Sequence, residues 1–298
     1  MLHLKIKKFW DKQLKSQPVS PFYTGLEQID FEEFCQKIKL EDQKYLEKII
    51  LNIINGKAIL LKSAFKKDFV ENLKTNVKKF WGKNPDVFNK MNEGVKDFHR
   101  IIDQERSAKY SITALKHATY FFPWNNNPCS INKEIFDRWG YIKVLQGQSF
   151  NQYTNNTPKD GKVDRIQIAV YPPGFGEIKL HTDPIHNQYV SLCGYFSSIN
   201  GSDNDFKTGG VYCLDKHNNK INLEKYIDVG DIGLFFGGLK HGVDPIDIDK
   251  DNSIKNYDWF SGKGRWFMGL YTNDSDTVKK RITSVDLKNI LLTEAKNN

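Results

Sequence analysis

From about residue 140 to residue 272 the chain is a succession of short runs: "YIKVLQGQSF", "VDRIQIAVYP", "EIKLHTD", "QYVSLCGYFSS", "GGVYCL", "DIGLFFGG" and "RWFMGLYT". Each is rich in β-branched and aromatic residues, which suit a pleated and half-buried surface, and each is separated from the next by Gly, Pro, Asn and Asp. No helical periodicity lies between them. Parallel strands need crossover connections, usually helical, so the pattern predicts an antiparallel sandwich or barrel and excludes a βαβ sheet.

The flanks read differently. "DFEEFCQKIKLEDQKYLEKIILNIING" carries Phe31, Phe34, Ile38, Tyr45, Ile49 and Ile53 at helix-like spacings and stops at Gly56. A second helical run, "AFKKDFVENLKTNVKKFWGK", follows the apolar piece "AILL", and its lysines give it the look of a solvated helix face. "SVDLKNILLTEAK" predicts a last helix. The expectation is one α+β domain over 1–298, with a mainly helical part at 1–139, a mainly β core at 140–272 and a C-terminal helix within 273–298. Hydrophobic residues make up 39% and aromatics 13%, enough for a globular core. The net charge of +8 is spread along the chain, which argues against a nucleic-acid partner. "MLHLKIKKFW" lacks the apolar stretch of a signal peptide, and no segment reaches a membrane-spanning length, so a cytoplasmic protein is expected. Cys35, Cys129, Cys193 and Cys213 have no paired spacing and read as small apolar residues.

One stretch carries chemistry. In "KLHTDPIHNQYV", His181 and Asp183 stand two apart, so a strand directs both to one side. Alone they read more readily as polar residues at a strand end than as metal ligands. Sixty residues on, "GDIGLFFGGLKHGVDPI" delivers His241 from a different strand. Two imidazoles and one carboxylate on one face suit non-haem Fe(II), with opposite positions open. Arg265 opens "RWFMGLYT". Facing inward it needs a carboxylate to receive its donors; the alternative is a surface arginine beside "SGKG".

"YPPGFGEIKLHTD", "FKTGGVYCL", "VGDIGLFFGGLKHGV" and "RWFMGLYT", in that order, resemble the core of the Fe(II)/2-oxoglutarate-dependent oxygenases, nearer the phytanoyl-CoA and prolyl hydroxylase-like small-molecule branches than the taurine dioxygenase branch. The resemblance implies a double-stranded β-helix (jelly roll, cupin-like). It implies His181, Asp183 and His241 as catalytic iron ligands, Arg265 as the anchor of the cosubstrate 2-oxoglutarate, and Gln167 and Tyr171 as its helpers. Arg265 lies farther behind the distal histidine than the family usually places it, which an insertion at 247–264 would explain. The Arg-x-Ser pairing of some members is absent, since Trp266 and Phe267 follow. The aspartate argues against halogenation.

The implied reaction consumes O2, releases succinate and CO2, and hydroxylates, desaturates or cyclises a small metabolite such as an amino acid derivative or biosynthetic intermediate, with an anionic substrate favoured by the positive charge. Loops 151–162 and 247–264, with Trp259 and Phe260, are the expected lids. Rival readings are an oxygenase acting on a protein side chain, a cupin-like metal-dependent isomerase or binding protein, and a zinc hydrolase built on His181, Asp183 and His186. His186 otherwise reads as a loop residue near the pocket mouth. His3, His99, His117 and His217 have no partners in sequence, and "FFPWNNNPC" (121–129) reads as packing.

Overall fold

A computed structural model describes residues 1–125, 131–200, 205–248 and 254–286. The helices are α1 (Leu2–Ser16), α2 (Phe31–Lys39), α3 (Gln43–Ile54), α4 (Lys67–Lys83), α5 (Gln104–Ser107) and α6 (Ile131–Leu145). The strands are β1 (Gly25–Asp30), β2 (Lys57–Lys62), β3 (Phe98–Ile102), β4 (Ala114–Phe121), β5 (Lys162–Tyr171), β6 (Glu177–Thr182), β7 (Val190–Tyr195), β8 (Gly210–Leu214), β9 (Lys220–Asn222), β10 (Ile232–Phe236), β11 (His241–Asp244), β12 (Arg265–Asp274) and β13 (Val285–Asp286).

The strands from β5 to β12 form two facing sheets. The major sheet runs β10-β7-β12-β5 and the minor sheet β6-β11-β8-β9. Successive strands pass from one sheet to the other, apart from the β8–β9 hairpin, and all these pairings are antiparallel. This is the strand order of a double-stranded β-helix, as expected. β4 joins the two sheets, pairing with β5 through His117–Phe121 and with β6 through Ala114 and Leu115.

Period-2 alternation separates two cores. On β12, Trp266, Met268 and Leu270 pack outward with Ile50, Ile53, Trp139 and Ile142 of the helices. Phe267 turns inward with Tyr171, Cys193, Tyr195, Cys213 and Phe235. Cys35, Cys193 and Cys213 are buried free thiols, and burial raises the pKa of each. Among the described residues no helix is long and apolar enough to cross a membrane.

Several expectations are corrected. Residues 141–150 are not a strand: Ile135, Trp139, Ile142 and Leu145, at intervals of three and four, form the fully buried face of α6. The β-branched residues among them imitate a strand because both elements here are buried. The helical reading of 30–56 is two helices. Each has its own aspartate cap, Asp30 accepting from the Glu33 amide at 3.0 Å and Asp42 from the Tyr45 amide at 3.1 Å, and Glu41 between them has φ of 53°. Beside its helices, 1–139 also contributes the strands β1 to β4. β2 holds the "AILL" run, too short for a helix and buried on both faces, and it extends the major sheet beyond β10, with β1 parallel to it. In α4, Val70, Leu73, Val77, Phe80 and Trp81 are buried, so only part of that helix is a solvated face. Within 273–298, Val285–Asp286 pairs with β6; the helix expected beyond it, like Cys129 and part of 121–129, lies outside the described residues.

Trp139, 1% exposed and stacked on Phe136, joins α6 to the outer core. Trp139→Ala is expected to cost about 3–5 kcal/mol of unfolding free energy in chemical denaturation.

Candidate metal centre

The antiparallel pairing of β6 with β11 sets His181 directly opposite His241, their rings 4.2 Å apart. Asp183 follows the end of β6. Its amide donates to the Gly237 carbonyl at 2.7 Å, which draws the segment against the turn that precedes β11. Gly237 permits the approach, because a Cβ there would lie 2.9 Å from Ile185. The Nε2 atoms of His181 and His241 are each 3.7 Å from an Asp183 carboxylate oxygen, and one ligand atom from each residue lies within 4.8 Å of the others.

The surroundings prepare these atoms to bind a cation. Nδ1 of His181 donates to the Lys179 carbonyl and Nδ1 of His241 to the Leu239 carbonyl, both at 2.8 Å. Each proton is thereby placed on Nδ1, leaving the Nε2 lone pair facing Asp183. Asp183 accepts from Ser191 Oγ at 2.5 Å and Ser284 Oγ at 2.9 Å. Burial, with His241 adding, pushes the His181 pKa down to about 3. Burial alone would raise the Asp183 pKa, but the two imidazoles and the two hydroxyls outweigh it and hold the carboxyl below its ordinary range. Ligand atoms bound to one ion at about 2.1 Å lie about 3 Å apart when adjacent, so a small contraction of this triangle accommodates one. The donor set therefore fits a divalent transition metal.

A cavity of about 390 Å³ opens beside the triad and is lined by His181 and Asp183 together with Lys116, Arg165, Gln167 and Tyr271. Parts of 88–91, 109–112 and 276–284 also line it. Neither expected lid contributes a described lining residue. Lys143 pins 151–162 through the carbonyl of Gln152, and the Trp259 carbonyl accepts from His117 at 2.8 Å. A hollow of about 620 Å³ beside Tyr257 and Trp266 contains none of the triad.

Arg265 is buried at 1% exposure, which excludes a surface role, but its surroundings differ from the expectation. Its Nε donates to Glu224 Oε1 at 2.6 Å, so the protein already supplies a carboxylate. Burial lowers the arginine pKa, but Glu224, Tyr195 and Tyr171 outweigh it and keep the guanidinium charged. Gly210, with φ of +92°, makes room for this pair: a Cβ there would lie 2.3 Å from Glu224 Oε1. Arg265 Nη1 and Glu224 Oε2 have no hydrogen-bond partner among the described residues. Tyr171 lies directly across from Arg265 on β5, its ring 5.8 Å from the guanidinium, whereas Gln167 lies in the cavity.

His186 binds Asp274 at 2.9 Å and is not among the clustered ligands. His99 and His117, unpartnered in sequence, contact each other at 2.9 Å, and His117 stacks on Trp81 at 4.0 Å. Sequence reasoning missed Ser191, Ser284, Glu224, Lys116 and Arg165. Ser284 and Glu224 lie 101 and 41 residues from their partners, and no local pattern marks either.

No protein-family model matches the chain, and no curated protein matches it. Among solved structures it is similar to a Pseudomonas putida prolyl-4-hydroxylase, at 13% identity over 76% of this chain and 97% of that one, with a TM-score of 0.45. It is also similar to a full-length Neurospora crassa protein in complex with alpha-KG, at 15% identity over 90% and 95%, with a TM-score of 0.47. A Trichoplax adhaerens prolyl hydroxylase in complex with a hypoxia inducible factor peptide fragment matches at 12% identity over 80% and 92%, with a TM-score of 0.46. The fold assignment rests on the strand order of this chain.

His181 and His117, the latter lowered to about 4 mainly by burial, have folded pKa values below the ordinary 6.5. The unfolded chain binds more protons between those values, so this stability is present above about pH 6.5 and is lost as pH falls toward 4. In chelator, the thermal midpoint is expected to drop across that window, and His181→Gln to reduce the slope by about one proton.

Proposed function

We propose that this protein is a non-haem Fe(II)- and 2-oxoglutarate-dependent dioxygenase that oxidises an unactivated C–H bond of a small metabolite. The observation that carries the reading is the convergence of His181, Asp183 and His241, two of which, His181 and Asp183, line a cavity that leaves space beside the three protein donors. The sequence landmarks around them, in the order of that oxygenase family, support it. When bound, Fe(II) with 2-oxoglutarate and dioxygen supplies the oxidising chemistry, with succinate and CO2 as coproducts.

The chain's own residues orient and shield. His181, Asp183 and His241 would hold the metal, and the carbonyls of Lys179 and Leu239 keep both imidazoles in the ligating tautomer. Ser191 and Ser284 fix the carboxylate plane. The Phe235 ring, 4.6 Å from that of His241, keeps water from the inner side. Arg265 would anchor the distal carboxylate of 2-oxoglutarate through its free Nη1, with Tyr171 beside it and Gln167 contributing from the cavity. An aspartate at 183 leaves no ligand position for a halide, which supports oxygenation, desaturation or ring closure. The bond between His186 and Asp274 weighs against a zinc hydrolase built on His186.

The test is succinate release by the Fe(II)-reconstituted protein supplied with 2-oxoglutarate and O2, alone and with small organic acids. Iron-dependent release blocked by N-oxalylglycine is expected, falling to background in Asp183→Ala. Arg265→Lys, which keeps the charge beside Glu224, is expected to raise the KM for 2-oxoglutarate about tenfold. Stoichiometric metal binding without any 2-oxoglutarate turnover would favour a cupin-like isomerase or binding protein.

A further inference from the structure

The buried cations of this chain divide into two kinds. Lys74, Lys143 and Arg265 are buried and each has a carboxylate: Glu71 at 2.9 Å, Asp164, and Glu224 at 2.6 Å. Lys116 is buried to the same degree as Lys74, at 8% exposure, and has no ion-pair partner among the described residues. Arg165, on the neighbouring β5, is half-buried as a whole but likewise has no carboxylate partner among the described residues, and its Nε is fully buried without a hydrogen-bond partner. Both line the cavity beside His181 and Asp183. A buried cation left unpaired is costly, so the exception calls for a reason.

The guanidinium is also held in place. Arg165 lies 5.0 Å from the Tyr120 ring and 5.5 Å from the Tyr271 ring, and its Nη2 reaches Gln167 Oε1 only at 3.5 Å. Aromatic faces orient its plane without using its donors. Of the carboxylates in the cavity wall, Asp183 belongs to the metal triad and Asp276 is engaged by Arg281 at 2.6 Å. Arg281 lines the same wall and, paired with Asp276, adds no net charge to it. The rest of that wall includes Phe98 and Phe122.

We infer that Arg165 and Lys116 form an anion subsite, and that the cavity takes a substrate with an apolar or aromatic body bearing a carboxylate, which Arg165 grips while the body lies beside the metal. Calling this ligand a substrate rests on the oxygenase reading above; the subsite itself rests on the unpaired cations. The same carboxylate chemistry could come from 2-oxoglutarate, and the experiment separates the two sources.

The full-length protein is loaded with Mn(II), and calorimetry measures binding of benzoate against benzamide and of 3-phenylpropionate against its amide, with and without saturating 2-oxoglutarate. The expected result is a preference of about tenfold or more for at least one acid over its amide, persisting with 2-oxoglutarate bound. Arg165→Gln should abolish that preference, Arg165→Lys should restore part of it, and both should leave the 2-oxoglutarate Kd within about twofold, whereas Arg265→Lys should weaken 2-oxoglutarate alone. Acids and amides bound alike, or neither bound at millimolar concentration, would overturn the subsite. So would competition between acid and 2-oxoglutarate with Arg165→Gln weakening the latter, since the cations would then serve the cosubstrate. An acid preference that stands while 2-oxoglutarate does not bind would support the subsite and remove the oxygenase reading.

Discussion

The pairing of β6 with β11, which places His181 opposite His241, is the contact on which the site depends. Side chains alternate faces along a strand, so a slip of one residue would turn one imidazole out of the barrel and leave Asp183 with a single partner. The register is held from several sides. β8 pairs with β11 over four residues, β4 and β13 pair with β6, and the Asp183 amide is tied to Gly237. The triad is thus a consequence of sheet order, and the donors behind it, Ser191 and Ser284, are brought in by β7 and by the segment before β13.

The interior handles charge differently at its two polar regions. Around Arg265 the protein completes its own ion pair with Glu224, beneath a glycine that leaves room for the carboxylate. Around Lys116 and Arg165 it supplies tyrosine faces, and neither cation has an ion pair among the described residues, the carboxylates of the same cavity wall being Asp183 of the triad and Asp276, engaged by Arg281. Burial pushes the Lys116 pKa down to about 8, with Arg165 adding and Asp183 opposing. The Arg265 pair still leaves one guanidinium nitrogen, Nη1, without a partner among the described residues. Cations kept open beside a ligand triad keep their donors for something that arrives from outside.

Strands β5, β6, β7, β8, β10 and β12 were legible because their β-branched and aromatic residues stand between clear turn signals, whereas the short β9 was not read and His241, expected at the far end of the apolar strand β10, opens the separate strand β11; residues 141–150 were misread because an apolar run buried on one helix face has the same composition as a strand buried in a sheet. β2 and β4 were hidden in a region dominated by helices, since each becomes a strand only by adding to an existing edge. The break at Glu41 was written in Asp42, a capping residue in the middle of an apolar pattern.

By itself the sequence determined the β core, the order of its landmarks and the three residue types able to share a metal, because these follow from local spacing and side-chain chemistry. Tertiary structure alone decided that Arg265 already has Glu224, that Ser284 reaches Asp183, and that Lys116 and Arg165 share a cavity without an ion-pair partner of their own among the described residues. Such pairings join positions far apart in the chain, and the free energy of a buried charge depends on what folding brings beside it.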